Sequence, residues 1–190
     1  MEQNYDFSVE LYKDCRHHQV NFQFASSASI YGLRSEFHDF SEKAPVDPRT
    51  PYAWSKYMFE KYLTEHKQTA LVQIFRYFNV YGPRESHKGR MASVAFHQYH
   101  QYKANGHVKL FGEYGGYGPG EQSRDFVSVE DVVKVNLFFL DHPEISGIFN
   151  LGTGRAQPFN DVAFAVANAM RKLDKAQPAS LAELVKEKAI

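Results

Sequence analysis

The chain has 190 residues, and its 22 basic and 22 acidic side chains give a formal charge of zero. This balance gives no reason to expect binding to nucleic acid or to an anionic membrane, and no apolar run is long enough to span a bilayer. Cys15 is the single cysteine and cannot form an internal disulfide, and the first residues lack the features of a signal peptide. We therefore expect a cytoplasmic chain with a hydrophobic core.

Hydrophobic periodicity and helix-end signals predict alternating strands and helices. Thr50 is placed to cap a helix that starts with Pro51, and Gly106 is placed to end the next one. Ser128 can cap another helix, with Asp131 near the capping-box position. The predicted helices cover residues 5–16, 51–66, 91–104, 129–141 and 160–171; the predicted strands cover 20–25, 71–80, 108–111, 125–128 and 147–151, with a Gly-rich loop over 112–123.

The alternation of strands and helices indicates an α/β fold with a mostly parallel sheet. A dinucleotide-binding fold of this class uses a Gly-x-Gly-x-x-Gly turn between its first strand and helix. The sequence has no such turn. The glycines within residues 115–120 have another spacing, and Pro119 lies among them. Residues 152–154 (Gly-Thr-Gly) lack the third glycine, so both stretches are interpreted as ordinary loops.

Tyr52 and Lys56 are four residues apart at the start of a predicted helix, so they share one helix face. A nearby ammonium favours the phenolate form of a tyrosine, which can exchange a proton with a sugar hydroxyl. Ser26 and Ser27 follow the preceding predicted strand and could hold the same hydroxyl. The alternative interpretation of the spacing is an exposed, solvated helix face.

The pair at residues 52–56 is one of five motifs, and the other four lie at residues 24–32, 75–84, 124–132 and 149–154. In this order they resemble the extended short-chain dehydrogenase/reductase superfamily, whose members rework nucleotide sugars with bound NAD or NADP. A narrower set of residues resembles the ADP-L-glycero-D-manno-heptose 6-epimerase family, and the resemblance extends over nearly the whole chain. That set consists of residues 79–97, 109–111 and 147–156.

The resemblance implies a partial Rossmann-like, doubly wound parallel sheet and part of a smaller substrate-binding domain. Residues 1–83 would form the C-terminal half of the NADP-binding domain, and 84–123 a substrate-binding segment with the Gly-rich loop. Residues 124–171 would belong to both parts, and 172–190 would form a charged tail. Compared with the family, we expect an internal fragment that lacks the first cofactor motif and the C-terminal end, and that is inactive alone.

The implied reaction converts ADP-D-glycero-D-manno-heptose to its L-glycero epimer at C6″, for lipopolysaccharide core synthesis. The implied cofactor is NADP, with NAD left open, and the implied assembly is a homo-oligomer, a pentamer. The family pattern assigns the catalytic positions to Tyr52, Lys88 and Ser27, the cofactor-binding positions to Lys56, Val80, Lys88, Ser26 and Gln3, and the substrate-binding positions to Asn79, Arg90, His97, Phe111, Gly112, Glu113, Tyr114 and Arg124.

Lys88 is assigned as a second proton carrier because an epimerase returns hydride to the other face of the carbonyl, which moves the oxygen. The alternative interpretation is that Lys88 is an ordinary surface lysine. Arg124 suits a diphosphate because its planar fork pairs with phosphate oxygens, and its alternative is an ion pair with Asp125 or Glu130. The histidines lack metal-ligand spacing, so we predict no metal.

Two other functions stay open. A related sugar dehydratase or reductase is disfavoured, since dehydratases of the superfamily usually carry an Asp-Glu pair where this chain has Ala28-Ser29. The second alternative is a non-catalytic remnant that either binds sugar nucleotide or pairs with a complete subunit.

Because the sequence has no Gly-x-Gly-x-x-Gly turn, we expect the isolated 190 residues to bind NADP negligibly. A calorimetric or fluorescence titration of this chain with NADP tests the expectation. A dissociation constant below the millimolar range would contradict it.

Overall fold

A computed structural model describes residues 4–32, 40–66 and 72–186 of the chain. The helices are α1 Asp6–His17, α2 Pro51–Glu65, α3 Val94–Asn105, α4 Val129–Asp141, α5 Phe159–Leu173 and α6 Leu181–Lys186. The strands are β1 Phe22–Ser27, β2 Val72–Tyr77, β3 Asn79–Tyr81, β4 Ser123–Ser128, β5 Gly147–Leu151 and β6 Ala156–Pro158. Short 3₁₀ helices cover Ala28–Tyr31 and Ser86–Met91.

One structural unit, residues 1–78 and 131–151, is built on a parallel sheet in the order β1-β2-β5. Ser27 pairs with Tyr77, and Tyr77 pairs with Leu151, so the carboxyl ends of the three strands lie side by side. Parallel α/β sheets bind ligands at this edge. The predicted class, α/β with a parallel sheet, is confirmed.

The core of this unit contains an aromatic group that lies between α2 and β1. Phe59 of α2 is fully buried, and its ring centroid lies 4.4 Å from that of Phe24 and 5.9 Å from that of Phe22. Tyr12 of α1 makes an edge contact with Phe59 at 6.2 Å, and Leu63 is buried in the same cluster. This packing fixes α2 on one face of the sheet.

A buried glutamine joins β2 to the connection between α4 and β5. The Gln73 side-chain amide donates to the carbonyl oxygens of Phe139, His142 and Ile145 at 2.9, 3.2 and 2.9 Å. Its own oxygen accepts a 2.9 Å hydrogen bond from Gln23 Nε2. One buried side chain therefore ties three backbone carbonyl groups of this connection to β2.

The other unit contains residues 79–130 and 152–190. Its strand β4 pairs in parallel with β3 and antiparallel with β6. Helix α3 packs against α5, and Ala167, Ala179 and Leu184 form a buried cluster between α5 and α6. The division into four domain segments, 1–83, 84–123, 124–171 and 172–190, remains a prediction.

Two strand predictions are wrong. The single strand predicted over 71–80 is replaced by the two strands β2 and β3, because the ladder is interrupted at Phe78: β2 pairs with β1 and β5, whereas β3 pairs with β4. Residues 108–111 form no strand, and the Lys109 amide donates instead to the Gln101 side chain at 3.0 Å. In both cases the hydrogen-bond partners of the backbone decide whether a strand forms, and the local sequence does not show these partners.

The predicted helix ends fare better. Thr50 Oγ1 accepts from the Ala53 amide at 3.1 Å, Ser128 Oγ accepts from the Glu130 amide at 3.2 Å, and Gly106 ends α3 with φ 72°. Helix α3 starts later than predicted, at Val94, because Ser93 caps it. Strand β6 was not predicted, since three residues that end in proline carry no periodicity.

None of the described helices combines the length and the apolar character that crossing a bilayer requires.

We expect Phe59→Ala to lower the free energy of unfolding of its unit by about 3–5 kcal/mol, since it leaves a cavity between α2 and β1. Trp54→Ala is the matched control on the same helix, because Trp54 is 46% exposed. We expect this control to change stability by about 0.5 kcal/mol. Urea denaturation measures both, and equal losses would contradict the assignment of the core.

Candidate active site

Helix α2 presents Tyr52 and Lys56 on one face. The Lys56 Nζ lies 5.8 Å from the centroid of the Tyr52 ring and 4.9 Å from that of Phe24 on β1. Tyr52 is 51% exposed, so its hydroxyl is open to solvent or to a ligand. The two side chains therefore lie together on the face of α2 that meets β1.

Burial lowers the pKa of Lys56, because removing the ammonium from water disfavours its charged form. No carboxylate forms an ion pair with Lys56 in the described ranges. It lies over the faces of two aromatic rings, which attract a cation weakly. A lysine in this setting can hold a ligand hydroxyl and respond to the charge of a neighbouring phenol.

The two serines at the end of β1 differ in role. Ser27 Oγ accepts a hydrogen bond from the Ser29 amide at 3.2 Å and starts the 3₁₀ helix, and the hydroxyl can still donate to a ligand. The Ser26 hydroxyl is buried and donates to Glu60. The predicted cofactor contact of Ser26 would therefore have to come from its backbone.

Lys88 lies in the 3₁₀ helix of the second unit, and its side chain is 39% exposed. Its Nζ lies 3.4 Å from Glu85 Oε2. Glu85 also accepts from the Gly82 amide at 3.1 Å and from the Ser93 amide and hydroxyl at 2.8 and 2.7 Å. Burial alone would raise the pKa of Glu85, but these hydrogen bonds and the Lys88 charge together lower it.

Gly82, directly after β3, packs tightly against the first residue of α4. With φ 155°, it approaches Val129 so closely that a Cβ at position 82 would lie 2.3 Å from Val129 Cγ1. Only glycine fits such a contact without displacing the start of α4. The pocket of about 280 Å³ beside this junction is lined mainly by apolar groups. Its lining residues are Tyr81, Gly82, Glu85, Ser93, Ala95, Phe96 and Tyr99.

A second pocket of the same unit, of about 370 Å³, brings together five predicted substrate-binding residues. Arg124 lies there with its guanidinium carbon 5.9 Å from the centroid of the Phe159 ring. Among the described residues no carboxylate pairs with Arg124, and Asp125 instead accepts hydrogen bonds from Thr153 and Gly154. The pocket is lined by Phe111, Gly112, Glu113, Tyr114, Gln122, Arg124 and Phe159.

The remaining predicted residues lie elsewhere. Asn79 is exposed and Val80 half-buried in β3, where they pair with Phe126 and Val127 rather than ending β2. Neither Arg90 nor the half-buried His97 of α3 lines the 370 Å³ pocket in the part of the chain that the structure describes. Gln3 lies outside the described residues.

Four neighbours of these positions were not predicted from the sequence: Glu60, Arg76, Glu85 and Phe159. Glu60 could have been found, because it is four residues after Lys56 and therefore on the same face of α2. Glu85 is three residues before Lys88, a spacing at which an ion pair is common. No pattern in the neighbouring sequence indicates that Phe159 lies beside Arg124.

A parallel sheet with polar groups at its carboxyl edge, flanked by helices, defines a Rossmann-like α/β protein. A model of the NAD dependent epimerase/dehydratase family matches residues 1–152. The chain belongs to this family.

Solved structures of nucleotide-sugar enzymes are similar to this chain. Helicobacter pylori ADP-L-glycero-D-manno-heptose-6-epimerase is 31% identical with a TM-score of 0.74, over 86% of this chain and 50% of that protein. Thermotoga maritima UDP-glucose 4-epimerase, solved with UDP-glucose, is 27% identical with a TM-score of 0.75, over 94% and 55%. Thermus thermophilus UDP-glucose 4-epimerase, solved with NAD, is 31% identical with a TM-score of 0.72, over 96% and 62%. The chain thus spans 50–62% of the length of these three proteins.

We expect Lys56→Met to raise the thermal midpoint at neutral pH slightly, because the variant no longer buries a charge. The pKa of Lys56 is lowered in the folded state, so the unfolded state binds more protons between that lowered pKa and about 10.4. The stability of the wild type therefore rises with pH across this window, and the advantage of the variant shrinks there.

Thermal unfolding at pH values from neutral to alkaline measures the difference. Lys61→Met is the control on the exposed side of α2, where the Lys61 side chain is 56% exposed. A Lys56→Met protein that is less stable than the wild type at every pH would contradict the expectation.

Proposed function

We propose that the protein carrying this sequence epimerises a nucleotide sugar by transient oxidation and reduction of one sugar carbon. The observation that carries the proposal is the shared face of Tyr52 and Lys56, packed through Phe24 on the strand that ends in Ser27. Family membership supports it, since the similar structures named above are epimerases of nucleotide sugars.

The described residues suit the nicotinamide–ribose part of a dinucleotide. Lys56 offers an ammonium, and Tyr52 and Ser27 offer hydroxyls, which are the donors that a ribose diol and a sugar hydroxyl need. A bound nicotinamide would supply the hydride acceptor. The sequence has no Gly-x-Gly-x-x-Gly turn to hold the pyrophosphate.

In the proposed mechanism, the Tyr52 phenolate takes the proton of the reacting sugar hydroxyl in the oxidation step. Lys88 gives a proton to the carbonyl oxygen in the reduction step, and both groups regain their starting protonation by exchange with solvent. Ser27 donates to this oxygen and fixes it, while Lys56 stabilises the phenolate by its charge. Lys88 is proposed, on the family resemblance, as the second proton carrier, because the oxygen occupies a second position after the carbonyl group turns. Its Nζ lies 3.4 Å from Glu85 Oε2, so the buried carboxylate helps to position the Lys88 side chain.

We assign the 370 Å³ pocket to the nucleotide part of the substrate. Arg124 can bind the diphosphate, and the rings of Phe111 and Phe159, 4.9 Å apart at their centroids, can cover an apolar or aromatic group. On the family resemblance we propose ADP-D-glycero-D-manno-heptose as the substrate, C6″ as the epimerised carbon and NADP as the cofactor. The product would enter lipopolysaccharide core synthesis, and a homo-pentamer is the proposed assembly.

We expect Tyr52→Phe and Lys88→Met each to lower kcat for epimerisation by about 100-fold or more, because each removes a proton carrier. Tyr57→Phe is the matched control, since Tyr57 is on the same helix and packs against Trp54. Chromatographic product analysis with ADP-heptose, on the complete protein that carries this sequence, gives the rates.

Two outcomes would overturn parts of the proposal. If either variant keeps kcat within a few-fold of the wild type, the mechanism with two proton carriers is wrong. If UDP-glucose is epimerised and ADP-heptose is not, the heptose assignment is wrong, whereas a keto-deoxy sugar product would indicate a dehydratase.

A further inference from the structure

Four polar side chains form a buried cluster at the carboxyl end of the sheet in the first unit. They are Ser26, Tyr31 and Glu60, each 2% exposed, and Arg76, which is 4% exposed. Each comes from a different element: β1, the 3₁₀ helix that follows it, α2 and β2. The proposed mechanism uses none of these side chains.

The Glu60 carboxylate is the centre of the cluster. Arg76 Nη2 donates to Glu60 Oε2 at 2.6 Å, and Arg76 Nε lies 3.2 and 3.3 Å from the two carboxylate oxygens. Ser26 Oγ donates to Oε1 at 2.5 Å, and Arg76 Nη1 donates to the Tyr31 hydroxyl at 2.8 Å. Both charges are therefore satisfied by directional hydrogen bonds.

Such a pair is a poor device for stability alone. Removing a carboxylate and a guanidinium from water is unfavourable, and apolar side chains of similar volume often stabilise a core as well or better. What the pair adds is direction, because hydrogen bonds fix the distance and angle between elements that apolar contacts leave more adjustable.

The elements that the pair joins are those that carry the proposed acid–base groups. Glu60 lies one helical turn after Lys56 and two turns after Tyr52 on the same face of α2. Its partner Ser26 directly precedes Ser27 at the end of β1. The carboxylate thus ties the helix that carries the phenol and the ammonium to the strand end that carries the serine.

The cluster also reaches the chain segment that leads towards α2. Arg76 Nη1 donates to the Glu42 carbonyl oxygen at 3.1 Å, and the Glu42 carboxylate accepts from the Asn150 amide at 2.7 Å. The Tyr31 hydroxyl donates to Asn150 Oδ1 at 2.7 Å. The Asn150 side-chain amide donates to the Phe40 carbonyl oxygen, so Arg76 of β2 and Asn150 of β5 together hold residues 40–42 at the carboxyl ends of these strands.

We propose that Glu60 and Arg76 are positioning residues that set Tyr52 and Lys56 relative to Ser27 through Ser26. This inference rests on the proposed function of these three side chains. The buried ion pair would therefore affect turnover rather than substrate binding.

The main test replaces both charges at once, with Glu60→Leu and Arg76→Met together, because removing one charge would leave the other buried without a partner. In the complete protein with cofactor bound, we expect kcat to fall by about 100-fold while KM stays within about threefold. Gln73→Met is the matched control, since Gln73 is also buried and hydrogen-bonded on β2, near the opposite end of the strand. We expect this control to lower the thermal midpoint and to keep kcat.

A second measurement needs neither substrate nor cofactor. Competitive labelling with an amine reagent over a range of pH values, read by mass spectrometry, reports the protonation of each lysine. Burial lowers the pKa of Lys56, and we expect its labelling midpoint to move to higher pH in the double variant as water reaches a displaced helix. Lys61, exposed on the same helix, is the internal reference.

The outcomes separate the two proposals. A wild-type protein with no activity on any sugar nucleotide overturns the proposed function, and the labelling result alone then decides the positioning role. An active wild type whose double variant keeps both kcat and the Lys56 midpoint overturns that role. If the double variant does not fold, Ser26→Ala removes one hydrogen bond only; about a 10-fold lower kcat supports the proposal, and an unchanged kcat overturns it.

Discussion

The packing of α2 on β1 is the contact on which the candidate site depends. Phe59 is fully buried and meets the rings of Phe22 and Phe24, which holds α2 against β1. With α2 held in this way, Lys56 lies over Phe24, and Tyr52 stays exposed. The arrangement of the candidate site at the sheet edge thus depends on how one aromatic residue is buried.

Much of this local arrangement could be predicted from the sequence because it depends on short spacings. Thr50 and Pro51 mark the start of α2, and a separation of four residues places Tyr52 and Lys56 on one face whatever the rest of the fold is. The end of α3 at Gly106 follows from the same kind of rule.

Other features depend on partners that are distant in the sequence. Glu60 and Arg76 are 16 residues apart on different elements, and no local pattern shows that they meet. The change of partner strands at Phe78 and the approach of Phe159 to Arg124 have the same origin. Pairing of this kind becomes visible only when the strands have been placed in order.

The loop between β3 and α3 is held at its two ends by a single carboxylate. Glu85 bonds to Gly82 at the start and to Ser93 at the end, and Gly82 can be no other residue beside Val129. The residues in between, 86–91, face solvent. Exchanges at these exposed positions leave both anchors in place, so they would cost little folding stability.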